Sequence, residues 1–198
     1  SNFSLFDLFV KLLAHSAYGS QTFLFVLGNH EFWEFPDLSV EHITDKYRKL
    51  LEEHGMYLLQ NDLFYKNEFD DMGIIPYAEL EQMTNAELTE RLRCSRLVVF
   101  GGTGFSGCNV EFNANNGIYW NTVDRETEIQ ESKKFDNLYQ KLLPVLDQKN
   151  TVIFTHTPQK DWSSNPKSHA KFVYVSGHTH RNVFYDDGEE RIYADNQI

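Results

Sequence analysis

Residues 23–31 read FLFVLGNHE, and this stretch decides the fold. Five apolar residues lead directly into Gly28 and then into the polar residues 29–31. An apolar run without alternation is typical of a strand that is buried on both faces, as in a parallel sheet. Ligands of such sheets collect at the carboxyl ends of the strands. The sequence therefore predicts a buried strand that ends in functional residues.

The same order of residues recurs three times further along the chain. Each apolar run is followed by glycine or by threonine and histidine; the runs are 97–100 (LVVF), 152–154 (VIF) and 172–175 (FVYV). His156 follows the second run, and His178 and His180 follow the third. We therefore expect several buried strands to deliver Asn and His side chains to one edge of a sheet.

The composition is that of one globular domain. The chain has 198 residues, of which 41% are hydrophobic, and this is enough to bury a core. No apolar run approaches the roughly 18 residues of a membrane span. The net charge of −11 argues against a surface that binds nucleic acid or anionic lipid non-specifically. Cys94 and Cys108 lack metal-ligand spacing and no signal peptide is visible, so we expect reduced thiols in a cytoplasmic protein.

Periodicity predicts an alternation of helices and strands in the rest of the chain. Helices are expected at 3–17, 39–54, 84–93 and from 127 onwards. Hairpins are expected where 56–59 meets 63–65 and where 183–185 meets 191–194. Residues 68–77 read as an exposed connection, and 101–121 read as a long loop at the rim of a site.

Three glycines, Gly102, Gly104 and Gly107, match the G-x-G-x-x-G pattern of a dinucleotide site. The residues after Gly107 do not open the helix that such a site requires, and Cys108 stands where a Walker loop has lysine. Turn geometry is therefore favoured over nucleotide binding for these glycines.

The polar residues that follow the predicted strands could form a metal site. Asn29, His156, His178 and His180 would reach one edge from three strands. His178 and His180 are two residues apart in what reads as an extended segment, which would place both imidazoles on one side of the chain. The remaining histidines lie in predicted helices or polar loops, where ordinary exposed or hydrogen-bonded side chains are favoured: His15, His42, His54 and His169.

In order and context, residues 28–31 (GNHE), 155–158 (THTP) and 177–180 (GHTH) resemble the motifs of the calcineurin-like metallophosphoesterases. The resemblance implies an α/β fold, an αββα sandwich of two mixed sheets flanked by helices, with a dinuclear metal site at the strand ends. Asn29, His156 and His178 would bind one ion and His180 the other. His30 would be the acid that protonates the leaving group.

The resemblance also implies a reaction and its cofactors. A metal-bridging hydroxide would attack phosphorus in line, and the two ions would stabilise charge on the phosphoryl oxygens. Mixed imidazole, amide and carboxylate ligands suit manganese, iron, zinc, cobalt or nickel. The expected substrate is a small phosphomonoester or phosphodiester, for example a nucleotide; the acidic charge makes a nuclease unlikely, and Leu27 before Gly28 argues against the protein serine/threonine phosphatases.

The sequence departs from the family at one point. The D-x-H and G-D-x-x-D motifs that precede G-N-H-E in the family are absent, and Asp7 does not replace them. The simplest account is a single domain, 1–198, that lacks the first strand and motifs and is cut short at both ends. We expect this chain alone to bind the second ion weakly and to hydrolyse esters poorly. The alternatives are a catalytically dead interaction scaffold and a mononuclear metal-binding protein.

The sequence leaves the role of the aromatic residues near these motifs open. They could stack on the base of a substrate or could cap the core: Phe32, Trp33, Phe35 and Trp162.

Overall fold

Helices and strands alternate along the chain and form a mixed α/β fold with a seven-stranded sheet. The structure is a computed structural model and describes residues 2–16, 18, 21–109, 123–147, 149–180, 182–188 and 191–194. The helices are α1 (Phe3–Ala14), α2 (Asn29–Trp33), α3 (Val40–Glu52), α4 (Tyr77–Gln82), α5 (Asn85–Arg91), α6 (Arg125–Leu146) and α7 (Gln159–Trp162). The strands are β1 (Leu24–Phe25), β2 (Tyr57–Leu58), β3 (Asp62–Asn67), β4 (Met72–Ile75), β5 (Ser95–Gly102), β6 (Thr151–Thr155), β7 (Phe172–Ser176), β8 (Val183–Asp186) and β9 (Arg191–Ala194).

The large sheet has the strand order β4-β3-β5-β6-β7-β9-β8. Strands β5, β6 and β7 are parallel, and Gly102, Thr155 and Ser176 pair with one another at their carboxyl ends. We call this end of the sheet the carboxyl edge. Strand β3 is antiparallel to β5 and begins at Asp62, opposite Gly101, so its amino end lies at the same edge. Loops from four adjacent strands therefore meet there.

The strands predicted at 97–100, 152–154 and 172–175 are confirmed, and the hairpin predicted near the end of the chain is confirmed as β8 and β9. The first strand differs from the prediction, because β1 is only two residues long and pairs in parallel with β2, in a separate two-stranded sheet. The hairpin predicted at 56–65 is wrong. Asn61, with φ 63°, turns the chain away from β2, and β3 pairs with β4 and β5 instead.

The predicted helices are confirmed as α1, α3, α5 and α6, and side chains cap their first turns. The Asn2 side chain accepts a hydrogen bond from the Ser4 amide in α1, and Thr84 and Glu87 form the predicted capping box of α5. Residues 68–77 are not only a connection, since they contain β4. Helix α4 was not predicted; six residues are too few to show a clear period.

The core lies on both sides of the large sheet. Phe135 of α6 stacks on Phe100 of β5, with ring centroids 4.5 Å apart, and meets Trp162 edge to face at 4.8 Å. Trp162 and Phe32 are fully buried. Both residues therefore cap the core and are not available to stack on a substrate. None of the helices in the described ranges is long and apolar enough to cross a membrane.

Several acidic side chains are buried in the described part of the fold, and Glu128 is one of them. Glu128, in the first turn of α6, is 5% exposed, and burial raises its pKa from 4.5 to about 7, against the lowering effect of hydrogen bonds from Ser106. Below about pH 4.5 the carboxyl group is protonated in the folded and the unfolded chain. Between about pH 4.5 and pH 7 the unfolded chain releases this proton more readily than the folded chain, so the group progressively lowers the free energy of unfolding. Above about pH 7 the loss is complete.

We predict that Glu128→Gln removes this pH-dependent loss. Relative to the unchanged protein, the variant should gain about 2 to 3 kcal/mol in free energy of unfolding between pH 4.5 and pH 8, because its amide does not ionise. Urea unfolding at several pH values measures the difference. Glu126→Gln, an exposed change in the same helical turn, is the control and should stay within about 0.5 kcal/mol at every pH. Parallel pH curves for Glu128→Gln and the unchanged protein would contradict the prediction.

Candidate metal centre

Three of the predicted metal ligands, Asn29, His156 and His178, converge at the carboxyl edge, and we call them the cluster. Nε2 of His156 lies 2.8 Å from Oδ1 of Asn29 and 3.2 Å from Nδ1 of His178. His156 follows β6, His178 follows β7, and Asn29 opens α2. The structure thus brings together side chains that are 127 and 22 residues apart in the sequence.

Gly28 allows the His156 ring to reach this position. A Cβ atom at Gly28 would lie 2.7 Å from Cε1 and 2.8 Å from Nδ1 of His156, closer than real contacts allow. The Gly28 amide donates a hydrogen bond to the Glu31 carboxylate at 2.9 Å, which closes the first turn of α2. Glycine at this position is therefore a packing requirement, since any side chain would displace the imidazole.

Buried hydroxyl groups fix the loop that carries His156. Thr157 is fully buried, and its hydroxyl donates to the carbonyl oxygens of Phe105, at 2.6 Å, and Thr103, at 3.2 Å. The Gly177 amide donates to the carbonyl oxygen of His156 at 2.9 Å. The loops after β5, β6 and β7 are therefore tied to one another by hydrogen bonds.

The segment that carries His178 and His180 is not extended, contrary to the sequence prediction. Both residues have positive φ, 76° for His178 and 53° for His180. Residues with a Cβ atom adopt this conformation at a cost, and such strain is concentrated at functional sites. His178 contacts His156, whereas His180 is exposed further along the loop.

His30, the predicted acid, is exposed beside the cluster. Its ring stacks on the indole of Trp33, with centroids 4.7 Å apart and planes at 26°. The short helix α2 brings the two rings together, since they are three residues apart. Trp33 is therefore a support for the imidazole of His30.

The electrostatics of the cluster keep His156 neutral. Burial, together with the imidazoles of His178, His30 and His180, lowers the pKa of His156 from 6.5 to about 3. A neutral imidazole retains the lone pair that binds a metal ion. At neutral pH the His156 ring is therefore already deprotonated and can bind a cation without first releasing a proton.

The two separations measured from His156 are those expected between ligands of one divalent ion. Two ligands bound about 2.1 Å from an ion at right angles are about 3.0 Å apart, close to both separations measured from His156. Two imidazoles and an amide oxygen suit a transition metal. Within the described ranges no group of three His, Cys, Asp or Glu side chains could hold an ion. A metal ion bound here would therefore need the amide of Asn29 as a third donor.

Several residues of this edge were missed by the sequence analysis. Gln60 follows β2 and accepts hydrogen bonds from the amide and hydroxyl groups of Thr103, at 3.2 and 2.9 Å. Asp161 is buried next to the cluster; burial raises its pKa, and nearby His178 has a smaller opposing effect. Gln60 could have been found, since it is a polar residue directly after an apolar run. Asp161 lies in a polar segment with no such signal.

The three glycines of the G-x-G-x-x-G pattern have packing roles. A Cβ atom at Gly104, which has φ 78°, would lie 2.7 Å from Cδ1 of Trp162, and one at Gly107 would lie 2.7 Å from Cα of Ile129. Close approach of the backbone to the core explains these glycines without a nucleotide. The predicted loop at 101–121 is described only as far as residue 109, and its remainder lies outside the described residues.

The chain matches the model of a known protein family. The model of the calcineurin-like phosphoesterase family matches residues 2–182. Comparisons with curated proteins and with solved structures found no significant match.

We predict that Gly28→Ala weakens metal binding. The added Cβ atom would push the His156 ring away from Asn29, so affinity for Mn²⁺ or Co²⁺ should fall at least about tenfold. Titration calorimetry with each metal alone measures this change. Ala86→Gly, an exposed change on α5, is the control for a general loss of stability. Unchanged affinity in a folded Gly28→Ala variant would show that the His156 ring does not hold the metal.

Proposed function

The chain belongs to the calcineurin-like phosphoesterase family, and we propose that it is a metal-dependent hydrolase of small phosphomonoesters or phosphodiesters, with nucleotides as the favoured substrates. The observation that carries the proposal is the meeting of Asn29, His156 and His178 at the carboxyl edge. A fold without a ligand at this edge has no need to bring these three donors together.

We assign the residues as follows. Asn29, His156 and His178 hold one divalent ion, and His180 belongs to a second. Divalent ions at this edge would polarise the phosphoryl oxygens and neutralise their charge during hydrolysis. The donors are compatible with manganese, iron, zinc, cobalt or nickel. We treat residues 1–198 as a single catalytic domain.

His30 is the proposed general acid. It lies beside the metal ligands, and its ring stacks on Trp33 and is exposed to solvent. A protonated imidazole in this position can donate to the leaving oxygen of an ester, and the stack on Trp33 restricts the directions in which the ring can turn. Trp33 is a positioning residue in this scheme.

Charge and thiols support the proposed partners and location. The net charge of −11 disfavours long polyanions such as nucleic acid and leaves a small ester as the substrate. Cys94 and Cys108 are exposed free thiols, which supports a cytoplasmic location.

Metal binding and hydrolysis measured together test the proposal. We expect Mn²⁺-dependent hydrolysis of para-nitrophenyl phosphate, slow in this chain because only His180 is assigned to the second ion. Titration should show one tight ion and one weak ion. His156→Gln should abolish tight binding and hydrolysis, whereas His42→Gln, on the exposed face of α3, should change neither. One tight ion without any turnover would favour the mononuclear alternative, and no metal binding would favour the scaffold.

The role of His30 can be separated from that of the metal ligands. We predict that His30→Asn lowers kcat about 100-fold or more for an alkyl phosphate, whose leaving group must be protonated, and much less for para-nitrophenyl phosphate, whose leaving group is stable as an anion. Metal affinity should not change, because His30 is not among the proposed ligands. Rates on two leaving groups and a metal titration measure these effects. Equal losses on both substrates would contradict an acid role for His30.

A further inference from the structure

A second polar site lies at the carboxyl edge, where β3 begins. A cavity of about 420 Å³ opens between α3, α4 and α6, where β3 begins and β4 ends. We call it the edge cavity; the residues that matter for its chemistry are Val40, Arg48, Gln60, Tyr77, Ala78 and Glu131. Its volume lies in the range of pockets that hold small organic ligands.

Hydrogen-bond donors at this cavity are not used by the protein. Nε of Arg48 and Nε2 of Gln60 are buried and have no hydrogen-bond partner within the described ranges. Gln60 is 9% exposed, and its Oε1 accepts hydrogen bonds from Thr103. The Nε2 amide group of Gln60 therefore points away from Thr103. Buried donors without partners are costly. Because these two atoms have almost no accessible surface, either side chain would have to turn towards the cavity to donate to an acceptor oxygen of a ligand, and such a bond would remove that cost.

Arg48 is anchored and still has donors to offer. Nη2 of Arg48 pairs with the buried Asp62 carboxylate at 3.0 Å, and the Arg48 side chain is 30% exposed. Asp62 also accepts hydrogen bonds from the amides of Gln60, at 2.9 Å, and Tyr77, at 2.8 Å. The guanidinium is therefore held in one orientation while part of it faces the cavity.

The charges around the cavity disfavour a bound anion such as a phosphate group. Among the described residues, the carboxylates of Glu41, Asp45, Asp62 and Glu131 line it together with two cations, Arg48 and Lys134. Both cations are already paired, Arg48 with Asp62 and Lys134 with Glu131. Val40 and the Tyr77 ring provide apolar walls. An uncharged, flat group that carries carbonyl oxygens fits these surroundings better than an anion does.

The cavity opens at the start of β3, two strands away from the strand that leads to His156. Asp62 pairs with Gly101, and Gly101 pairs with Phe154, so two strand spacings of about 4.8 Å separate β3 from β6, or roughly 10 Å. His156 lies two residues beyond Phe154. A nucleoside monophosphate spans a comparable distance from its phosphorus atom to its base.

We propose that the edge cavity binds the nucleobase of a nucleotide substrate and prefers bases with ring carbonyl oxygens, such as uracil, over adenine. The proposal rests on the phosphoesterase function proposed above. Ring carbonyl oxygens would accept hydrogen bonds from Arg48 and Gln60, and the base would lie against Tyr77. A site built to donate to carbonyl groups discriminates against a ligand that lacks them.

Binding of nucleosides without phosphate tests the proposal independently of hydrolysis. Uridine added to the full chain should shift the backbone NMR signals of Gln60 and Tyr77 saturably, and adenosine should bind at least about fivefold more weakly. Ala78→Trp should abolish the uridine shifts, because Ala78 is exposed on α4 and lines the cavity, so a large ring there fills it without removing a contact. Ala86→Trp, at an exposed position on α5, is the matched control and should leave them unchanged.

Hydrolysis provides a second measurement. In Ala78→Trp, kcat/KM for uridine monophosphate should fall at least about tenfold, while that for para-nitrophenyl phosphate should stay within about twofold. An absence of uridine shifts, shifts that persist in Ala78→Trp, or equal binding of adenosine would overturn the nucleobase site. Uridine binding that Ala78→Trp abolishes would support it even in a chain that hydrolyses neither ester, a result that would overturn only the phosphoesterase proposal.

Discussion

The parallel register of β5, β6 and β7 is the constraint on which the site depends. Gly102 pairs with Thr155, and Thr155 pairs with Ser176, so the three strands end at the same level along the strand direction. The loops that follow must then share a small space, and their backbone groups need hydrogen-bond partners there. Thr157 and Gly177 supply two of these bonds. The His156 and His178 rings meet because their loops are fixed in this way.

A second constraint joins the small sheet to the large one. Among the described residues, β1 and β2 pair only with each other, yet the helix that follows β1 supplies Asn29, which contacts His156 at the edge of the large sheet. The His156 ring packs against the Gly28 backbone, where a Cβ atom would overlap it. This packing limits the positions that the ring can take beside the Asn29 oxygen, 2.8 Å away. The absence of a Cβ atom at Gly28 is therefore part of what brings the two side chains together.

The sequence predicted the parallel strands well, because short apolar runs with no alternation are stable mainly as strands covered on both faces. The prediction was poorer where the local sequence pattern and the pairing with distant strands favour different structures. Residues 56–59 and 63–65 look like a hairpin locally, but β3 gains two partners in the large sheet and β2 gains β1. The sequence predicted that Asn29, His156 and His178 would reach one edge of the sheet, and the structure places them together there. It did not predict their geometry, since positive φ at His178 and His180 has no signal in the order of residues. The roles of Phe32 and Trp162 were open for a similar reason, because burial depends on what packs over a residue.

Local strain is not spread evenly over this fold. Among the described residues, five without the freedom of glycine have positive φ: Asn61, Asp70, Phe105, His178 and His180. Four of them lie in segments at the carboxyl edge, and only Asp70 lies at the opposite end, in the turn between β3 and β4. Each such residue costs about 1 to 3 kcal/mol, whereas the helices carry side-chain caps and the core is closely packed. Natural chains depart from local rules where function requires it, so the concentration of backbone strain at one edge argues that this edge is built for ligands.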